Sequence, residues 1–229
     1  MTYDLYIGDR TFSSWSLRGW LMLEKFGLEF NTHIVGLYAG TMADEMKHLA
    51  PAKTVPVLVT PTGGILPDSM AMAETLVEAH SDIPFYPSDP KARALCRTLV
   101  AEMHSSFMDL RNECDNMLTH IWDGFKPSAG VLKDVARIER LWSMARTQYG
   151  QNGPWLFGDY SLADVFYAPV THRFTAYGLP RSEMAQAYID TQLNDPAFLA
   201  WRAEALKEVH DPFPYDLDLP KKPWPVNQS

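Results

Sequence analysis

"LAPAKTVPVLVT", running from Leu49 to Thr60, carries a proline at the mouth of a strand. Val57 to Thr60 is apolar and β-branched, which suits an extended segment. Pro56 occupies the first position, where a missing N–H costs no ladder hydrogen bond. Two conformations fit. A trans Val55–Pro56 bond is the ordinary one. A cis bond, found in about 5–6% of X–Pro bonds, turns the Val55 backbone outward and leaves its N–H and C=O for an extended peptide ligand. These residues alone leave both open.

Working outward, the flanking segments alternate strand and helix patterns. Tyr3 to Ile7 reads as a strand and Leu17 to Phe26 as a helix closed by Gly27. Phe30 to Val35 alternates like a strand, and Asp44 to Ala50 is a short helix stopped by Pro51. Beyond the strand at Val57, Thr62-Gly63-Gly64 turns into Ile65-Leu66, and Ser69 to His80 is again helical. The order is β-α-β-α-β-β-α. The run "SDIPFYPSDP", Ser81 to Pro90, has three prolines and reads as a linker.

After the linker the pattern changes. Lys91 to Trp122 holds no Pro or Gly and repeats Leu95, Leu99, Met103, Phe107 and Leu110 at helical spacing, which predicts one long helix. Val131 to Tyr149 is a second, with Val135, Ile138, Trp142 and Ala145 on one face. Leu162 to Tyr177, Glu183 to Leu193 and Pro196 to Glu208 supply three more, and no strand is expected. The fold class is therefore α/β plus all-α. Residues 1–82 form the α/β domain, 83–90 the linker, and 91–229 an all-helical domain with a proline-rich tail from Asp211 to Ser229.

Composition narrows the partners. The 229 residues are 46% hydrophobic, enough for a well-buried core, and the net charge is -8. That balance argues against nucleic acid or an anionic membrane surface as the main partner, because both require a basic face. No run of about 18 apolar residues exists to cross a bilayer. The start "MTYDLYIGDR" lacks the basic-then-apolar order of a secretion signal. Cys96 and Cys114 fall 18 residues apart in one expected helix, beyond disulfide reach at about 1.5 Å per residue. A reduced, cytoplasmic protein is the expectation. The seven histidines show no paired or HExxH spacing, so no metal site is expected.

Three helix starts hold the candidate chemistry. "TFSSWSLRGW", Thr11 to Trp20, crowds Ser13, Ser14 and Ser16 where a helix begins. Serines there cap orphan N–H groups, and a hydroxyl at such a turn can also donate to a ligand. A hydrolase triad lacks its G-x-S-x-G elbow. In "LPDSMAMAE", Asp68 and Ser69 precede a helix. They suit capping, and the same N–H groups suit a ligand carboxylate. In "GDYSLADVF", Ser161 and Asp164 form a capping box with Tyr160 and Val165 at the staple positions. That box is structural.

Strand, serine-rich turn and helix, then V-P, then D-S before a helix, then a helical domain with S-x-x-D: this combination resembles the cytosolic glutathione transferases over about Tyr3 to Glu208. The serine-type members, zeta and its relatives, look closest, since "SSWSLR" resembles their S-S-C-S-x-R signature. The resemblance implies a thioredoxin-like first domain, a cis Pro56, glutathione as cosubstrate and a homodimer. By carry-over, Val55 pairs its backbone with the cysteinyl part of glutathione. Ser69, with Asp68, holds the γ-glutamyl end, and Lys53 approaches the glycine carboxylate. Asp68 stands where zeta members have Gln and others Glu, so an acid here can meet the γ-glutamyl ammonium.

The implied mechanism is thiolate stabilisation. Glutathione's thiol, with a pKa near about 8.5, is mostly protonated at neutral pH. A serine hydroxyl donating to sulfur, aided by the positive end of the first helix, favours the thiolate. A depression of about 2 pKa units corresponds to roughly 2.7 kcal/mol. Ser13 is the expected donor, Ser14 the runner-up and Ser16 the helix cap. Trp15 replaces the motif's cysteine beside the sulfur, which weakens a maleylacetoacetate isomerase assignment. Arg173, in "THRF", lies near where that isomerase has an arginine for substrate carboxylate; an exposed salt-bridging arginine is the alternative. His104, Ser105, Met108, Arg111 and Asn112 are acceptor-pocket candidates. Addition of glutathione to an electrophilic small molecule leads; a glutathione-dependent cis-trans isomerase and a non-catalytic glutathione-binding module are the rivals.

Overall fold

A computed structural model describes residues 2–207 and 214–225. The described residues fall into two compact units, one drawn from Met1–Ile83 and Ala200–Asp216, the other from Pro84–Leu199 and Leu217–Ser229. Of the expected tail, 211–213 and 226–229 lie outside the described residues, as does Glu208 at the expected end of the last helix.

The first unit follows the expected order. It runs β1 (Tyr3–Ile7), α1 (Ser14–Glu24), β2 (Phe30–Ile34), α2 (Met42–Glu45), a 3-10 turn at Lys47–Leu49, β3 (Val57–Val59), β4 (Ile65–Leu66) and α3 (Ser69–Ala79). The sheet order is β2-β1-β3-β4. β1 pairs parallel with β2, Leu5 facing Thr32, and antiparallel with β3, Leu5 facing Leu58. Along β1, Tyr3, Leu5 and Ile7 are buried while Asp4 and Tyr6 are half-exposed, the period-two pattern of a sheet. α1 packs on β1 and α3. A separate apolar cluster gathers Val35, Met46, Leu49, Val55 and Val57. Full burial of side chains of this size stabilises by about 1.5–3 kcal/mol each.

The second unit is built from helices: α4 (Pro90–Ser105), α5 (Met108–Glu113), α6 (Ala129–Tyr149), α7 (Leu162–Ala176) and α8 (Glu183–Leu193), with α9 (Pro196–Lys207) running on into the first unit. Val135, Ile138, Trp142 and Ala145 of α6 are buried as their spacing requires. Two expectations need correction. The helix expected over Lys91 to Trp122 breaks after Ser105, and Phe107 takes a left-handed conformation at φ 63°. The Arg111 guanidinium supplies the missing donors, bonding the carbonyls of Met103, His104 and Ser106. Two short strands also appear, β5 (His120–Trp122) and β6 (Lys221–Pro223), paired antiparallel with Ile121 facing Lys222. The Lys222–Asp123 ion pair at 2.8 Å and the Lys221 ammonium 4.9 Å from the Trp122 ring centroid hold this ribbon. Nothing local in a proline-bearing triplet signals so distant a partner.

Candidate functional site

The serine turn is shaped before the helix begins. Asp9 is fully buried. Its carboxylate accepts from the Thr11 N–H at 2.7 Å, and its carbonyl accepts from the N–H groups of Phe12 and Ser13. The segment 200–216 holds the same turn from outside: the Thr11 hydroxyl donates to the Ala205 carbonyl at 3.1 Å, and the Trp201 indole to the Arg10 carbonyl at 3.2 Å. Phe12 meets Tyr38 and Tyr215 edge-on, with centroids 6.2 and 5.8 Å away.

Ser13 is the N-cap of α1, a role the sequence assigned to Ser16. Its Oγ accepts from the Ser16 N–H at 3.3 Å and donates to the Ser16 hydroxyl at 2.7 Å. Ser16 Oγ in turn accepts from the Gly8 N–H at 3.0 Å. Ser14 is the first helical residue, and all three serines are buried. No acidic residue stands in the first turn of α1, so its positive end is left for an outside anion. The Trp15 ring lies over the fully buried Arg18, whose guanidinium carbon is 4.4 Å from the ring centroid.

Two glycines set this turn beside Val55 and Pro56. A Cβ on Gly8 would come within 3.1 Å of the Val55 side chain, and one on Gly19 within 3.0 Å of the Pro56 ring. Any larger residue at either place would push α1 and β1 away from the V-P segment. The Val55–Pro56 bond is cis, as the resemblance implied, and so is Ala50–Pro51. The Val55 N–H and C=O make no hydrogen bond among the described residues.

At α3, Asp68 is the cap: Oδ1 accepts from the N–H groups of Met70 at 2.8 Å and Ala71 at 3.1 Å. Its carboxylate stays exposed to solvent, while Ser69 is buried. Lys53 is exposed and flanks a pocket ahead of Val55. Gly8, which is bonded to Ser16, thus lies beside Val55, and Gly19 of α1 beside Pro56, while Asp68 caps the helix that packs on α1 and Ser69 is its first residue.

The acceptor-pocket candidates belong to the second unit and share no continuous helix face. His104 lies in the last turn of α4, with its ring 6.4 Å from Phe166, while Met108 and Asn112 are exposed on α5. Arg111 is spent on the α4 carbonyls, and burial, then Arg173, lowers its pKa to about 10. Arg173 is not an exposed salt-bridging side chain. It is 4% exposed and donates to the carbonyls of Cys114 at 2.7 Å and Pro169 at 3.1 Å. Beside it, burial raises the pKa of Asp115, opposed by the Arg173 charge. Cys96 lies on α4 and Cys114 just past the end of α5; both are buried and outside any disulfide, and burial pushes each thiol up to about 12. Among the described residues, no group of three or more His, Cys, Asp or Glu side chains is placed to hold a metal ion, and no helix is long and apolar enough to cross a membrane.

Sequence reading missed Asp9, Ser16 as a hydroxyl relay, and Arg18. Only the first had a local signal: Asp9-Arg10-Thr11 has the spacing of a carboxylate turning back onto the N–H two residues on.

Comparison with known proteins places this geometry. Residues 12–79 match the family model "Glutathione S-transferase, N-terminal domain", and residues 110–210 match "Glutathione S-transferase, C-terminal domain". A probable maleylacetoacetate isomerase of Caenorhabditis elegans is 28% identical over 202 residues, covering 86% of this chain and 91% of the relative. Among solved structures, a glutathione transferase homologue from Burkholderia with bound glutathione superposes with a TM-score of 0.66 at 22% identity, covering 90% of this chain and 99% of the other. A maleylacetoacetate isomerase from Anaeromyxobacter dehalogenans with bound glutathione gives 0.59 at 24% identity, covering 87% and 94%. These likenesses agree with a thioredoxin-like unit followed by a helical one. The two family matches run in order and together span well over half of the sequence, and the chain belongs to the glutathione S-transferase family.

Proposed function

We propose that this protein binds glutathione at the start of α1 and adds its thiolate to an electrophilic small molecule. The observation that carries the proposal is the pairing of two unfilled capacities. α1 offers an uncompensated positive end with buried serine hydroxyls, and the neighbouring Val55 offers an unpaired N–H and C=O. A peptide-like thiol laid antiparallel along Val55 brings its sulfur to the serine turn. A hydroxyl that donates to sulfur stabilises the thiolate without acting as a base. Ser13 supplies the proton by swinging its O–H away from Ser16; Ser14 is the alternative donor. Asp68 and Ser69 receive the γ-glutamyl end, Lys53 the glycine carboxylate, and Trp15 borders the sulfur.

The test is binding to immobilised glutathione together with conjugation of an aryl halide. Ser13→Ala lowers kcat by about tenfold or more, about 1.4 kcal/mol of transition-state stabilisation, while glutathione binding stays within about twofold. An unchanged rate moves the donor role to Ser14. Glutathione binding with no turnover on any electrophile would instead favour a non-catalytic binding module. The same reading carries a homodimer, checked by sedimentation.

A second reading, glutathione-dependent cis-trans isomerisation, draws on the name of the Caenorhabditis elegans relative. In it the thiolate adds to a double bond and leaves after rotation. Trp15, where zeta members carry cysteine, weighs against it. Assay with maleylacetoacetate decides: turnover there exceeding that on aryl halides makes isomerisation the main activity.

A further inference from the structure

Within the second unit, the proline-rich run that precedes α4 and the loop between α6 and α7 fold against each other. The Leu162 N–H donates to the Phe85 carbonyl at 2.9 Å. Gly158, at φ 88°, turns the loop back on itself, and a Cβ on Gly153 would lie 2.2 Å from the Gly158 carbonyl oxygen. Arg146 ties the same loop down, donating to the carbonyls of Gly150 at 3.0 Å and Gly153 at 2.6 Å. A pocket of about 390 Å³ is left between the two segments. That is within the range of about 300–1,000 Å³ typical of small-molecule sites. Four aromatic side chains line it, Tyr86, Tyr149, Phe157 and Tyr160, together with two acids, Asp89 and Asp159. Asp159 is exposed, and its carboxylate makes no hydrogen bond or ion pair among the described residues. Asp89 caps α4 through Oδ1 alone, so Oδ2 has no partner among the described residues. No lysine, arginine or histidine is in the lining.

We propose that this pocket binds a quaternary ammonium, a bulky organic cation of the trimethylammonium kind. Aromatic rings present negative faces, and a cation gains most from them once it has shed its water. A quaternary head has no N–H to hydrate, so it gives up water more readily than a primary ammonium does. The two carboxylates supply the opposite charge. The Tyr86 ring already accepts one cation, since the Arg97 guanidinium carbon lies 5.0 Å from its centroid. Arg93 donates to the carbonyls of Pro87 at 3.0 Å and Ser88 at 2.6 Å. Both arginines stand outside the lining. Their charge opposes a ligand cation, so affinity rests on the rings and carboxylates of the lining itself. The pocket shares no residue with the proposed thiol site or with the acceptor-pocket candidates.

Calorimetric titration of the full-length protein tests this with four ligands: choline, its neutral carbon isostere neohexyl alcohol, the tert-butylacetate anion, and ethanolamine. Choline binds saturably, about tenfold or more tighter than the alcohol or the anion and about threefold or more tighter than ethanolamine. Asp159→Asn and Asp89→Asn are exposed changes, and asparagine still caps α4. Each weakens choline by about threefold, as for an exposed ion pair, and the double variant by about tenfold. Neither changes the affinity of the alcohol. Tyr149→Leu, which keeps an apolar side chain and removes one ring, weakens choline by about threefold or more. The net charge of -8 attracts any cation weakly, so Glu24→Gln, an exposed acid outside the lining, serves as control and leaves choline unchanged. Absence of saturable choline binding overturns the proposal. Equal affinity for the alcohol does so too, by making the pocket merely apolar, as does preference for the anion, by giving control to the arginines. Ethanolamine binding as tightly as choline removes the quaternary head from the recognition. Loss on Glu24→Gln equal to that on Asp159→Asn, or indifference to every lining variant, places the cation elsewhere and also overturns it.

Discussion

α1 and α7 both begin with a serine cap, and they differ in one residue type. At α7, Ser161 is followed by Asp164 at the third helical position, where its carboxylate is wholly buried. It accepts from the Ser161 N–H at 2.9 Å, the Ser161 hydroxyl at 3.0 Å, the Leu156 N–H at 3.1 Å and the Tyr188 hydroxyl at 3.1 Å. At α1, Ser13 is followed by Ser16 in the same position, and the first turn holds no acid. One helix start is filled from within by its own anion. The other is closed sterically by neutral hydroxyls and left electrostatically open. Both starts carry a serine cap; the missing charge is what distinguishes the structural start from the one proposed to receive a thiolate.

The largest test of that contrast is Asp164→Ala. It leaves four buried donors without their acceptor, at about 1–3 kcal/mol for each one that finds no replacement. Denaturant unfolding should show a loss of about 4 kcal/mol or more. A loss below about 1 kcal/mol would mean the carboxylate is not the hub of this start.

The charge state of the same group gives the second test. Burial raises the Asp164 pKa to about 6, against the pull of its hydrogen bonds. The folded form therefore binds a proton more tightly than the unfolded chain, whose Asp titrates near about 4. Protonation then favours folding. The contribution of this group to stability is largest below about pH 4 and declines as the pH rises through about 6. Relative to Asp164→Asn, the parent protein should lose on the order of 2–3 kcal/mol over that window. A flat difference would show that the hydrogen bonds outweigh burial. His172 has the opposite sign. Burial, then Arg173, holds its imidazole well below the usual range, so its share of stability is lost as the pH falls below about 6.5.

A third experiment turns one start into the other. Ser13→Asp keeps a competent cap, so stability should stay within about 1 kcal/mol. It also places a carboxylate where the thiolate is proposed to lie, and turnover with glutathione should fall by about tenfold or more, through a raised pKa of the bound thiol. An unchanged pH-rate profile would remove α1 from the chemistry.

How much of this could be read from the sequence follows the range of the interactions. Elements whose signal is local were legible: the strand after Pro56, the Ser161–Asp164 box, the buried face of α6. Elements set by distant partners were not. The apolar spacing of 95 to 110 continues smoothly across Ser105–Phe107, yet the chain breaks there because Arg111 folds back onto the α4 carbonyls. β5 exists because Lys221–Pro223 reaches it, about a hundred residues away. In the site, the residue types were legible but their division of labour was not. Three serines in four positions look equivalent in a string. Only the Gly8 N–H, arriving from the end of β1, makes Ser16 the relay and leaves Ser13 as the cap.

The smallest effect is also the cleanest separation of cap from ligand, at the third helix start. Asp68 caps α3 through one oxygen, and its carboxylate remains exposed. Asparagine caps about as well as aspartate, so Asp68→Asn should change stability by only a few tenths of a kcal/mol. What it removes is the negative charge. If that charge meets the γ-glutamyl ammonium, glutathione affinity should fall by about threefold to fivefold, the worth of a solvent-screened ion pair of up to about 1 kcal/mol. The loss should shrink as salt is added, because an exposed pair is screened over about 10 Å at 0.1 M ionic strength. The opposite outcome is equally specific. Unchanged affinity at low salt would make Asp68 a cap alone and leave the ammonium of the ligand to solvent.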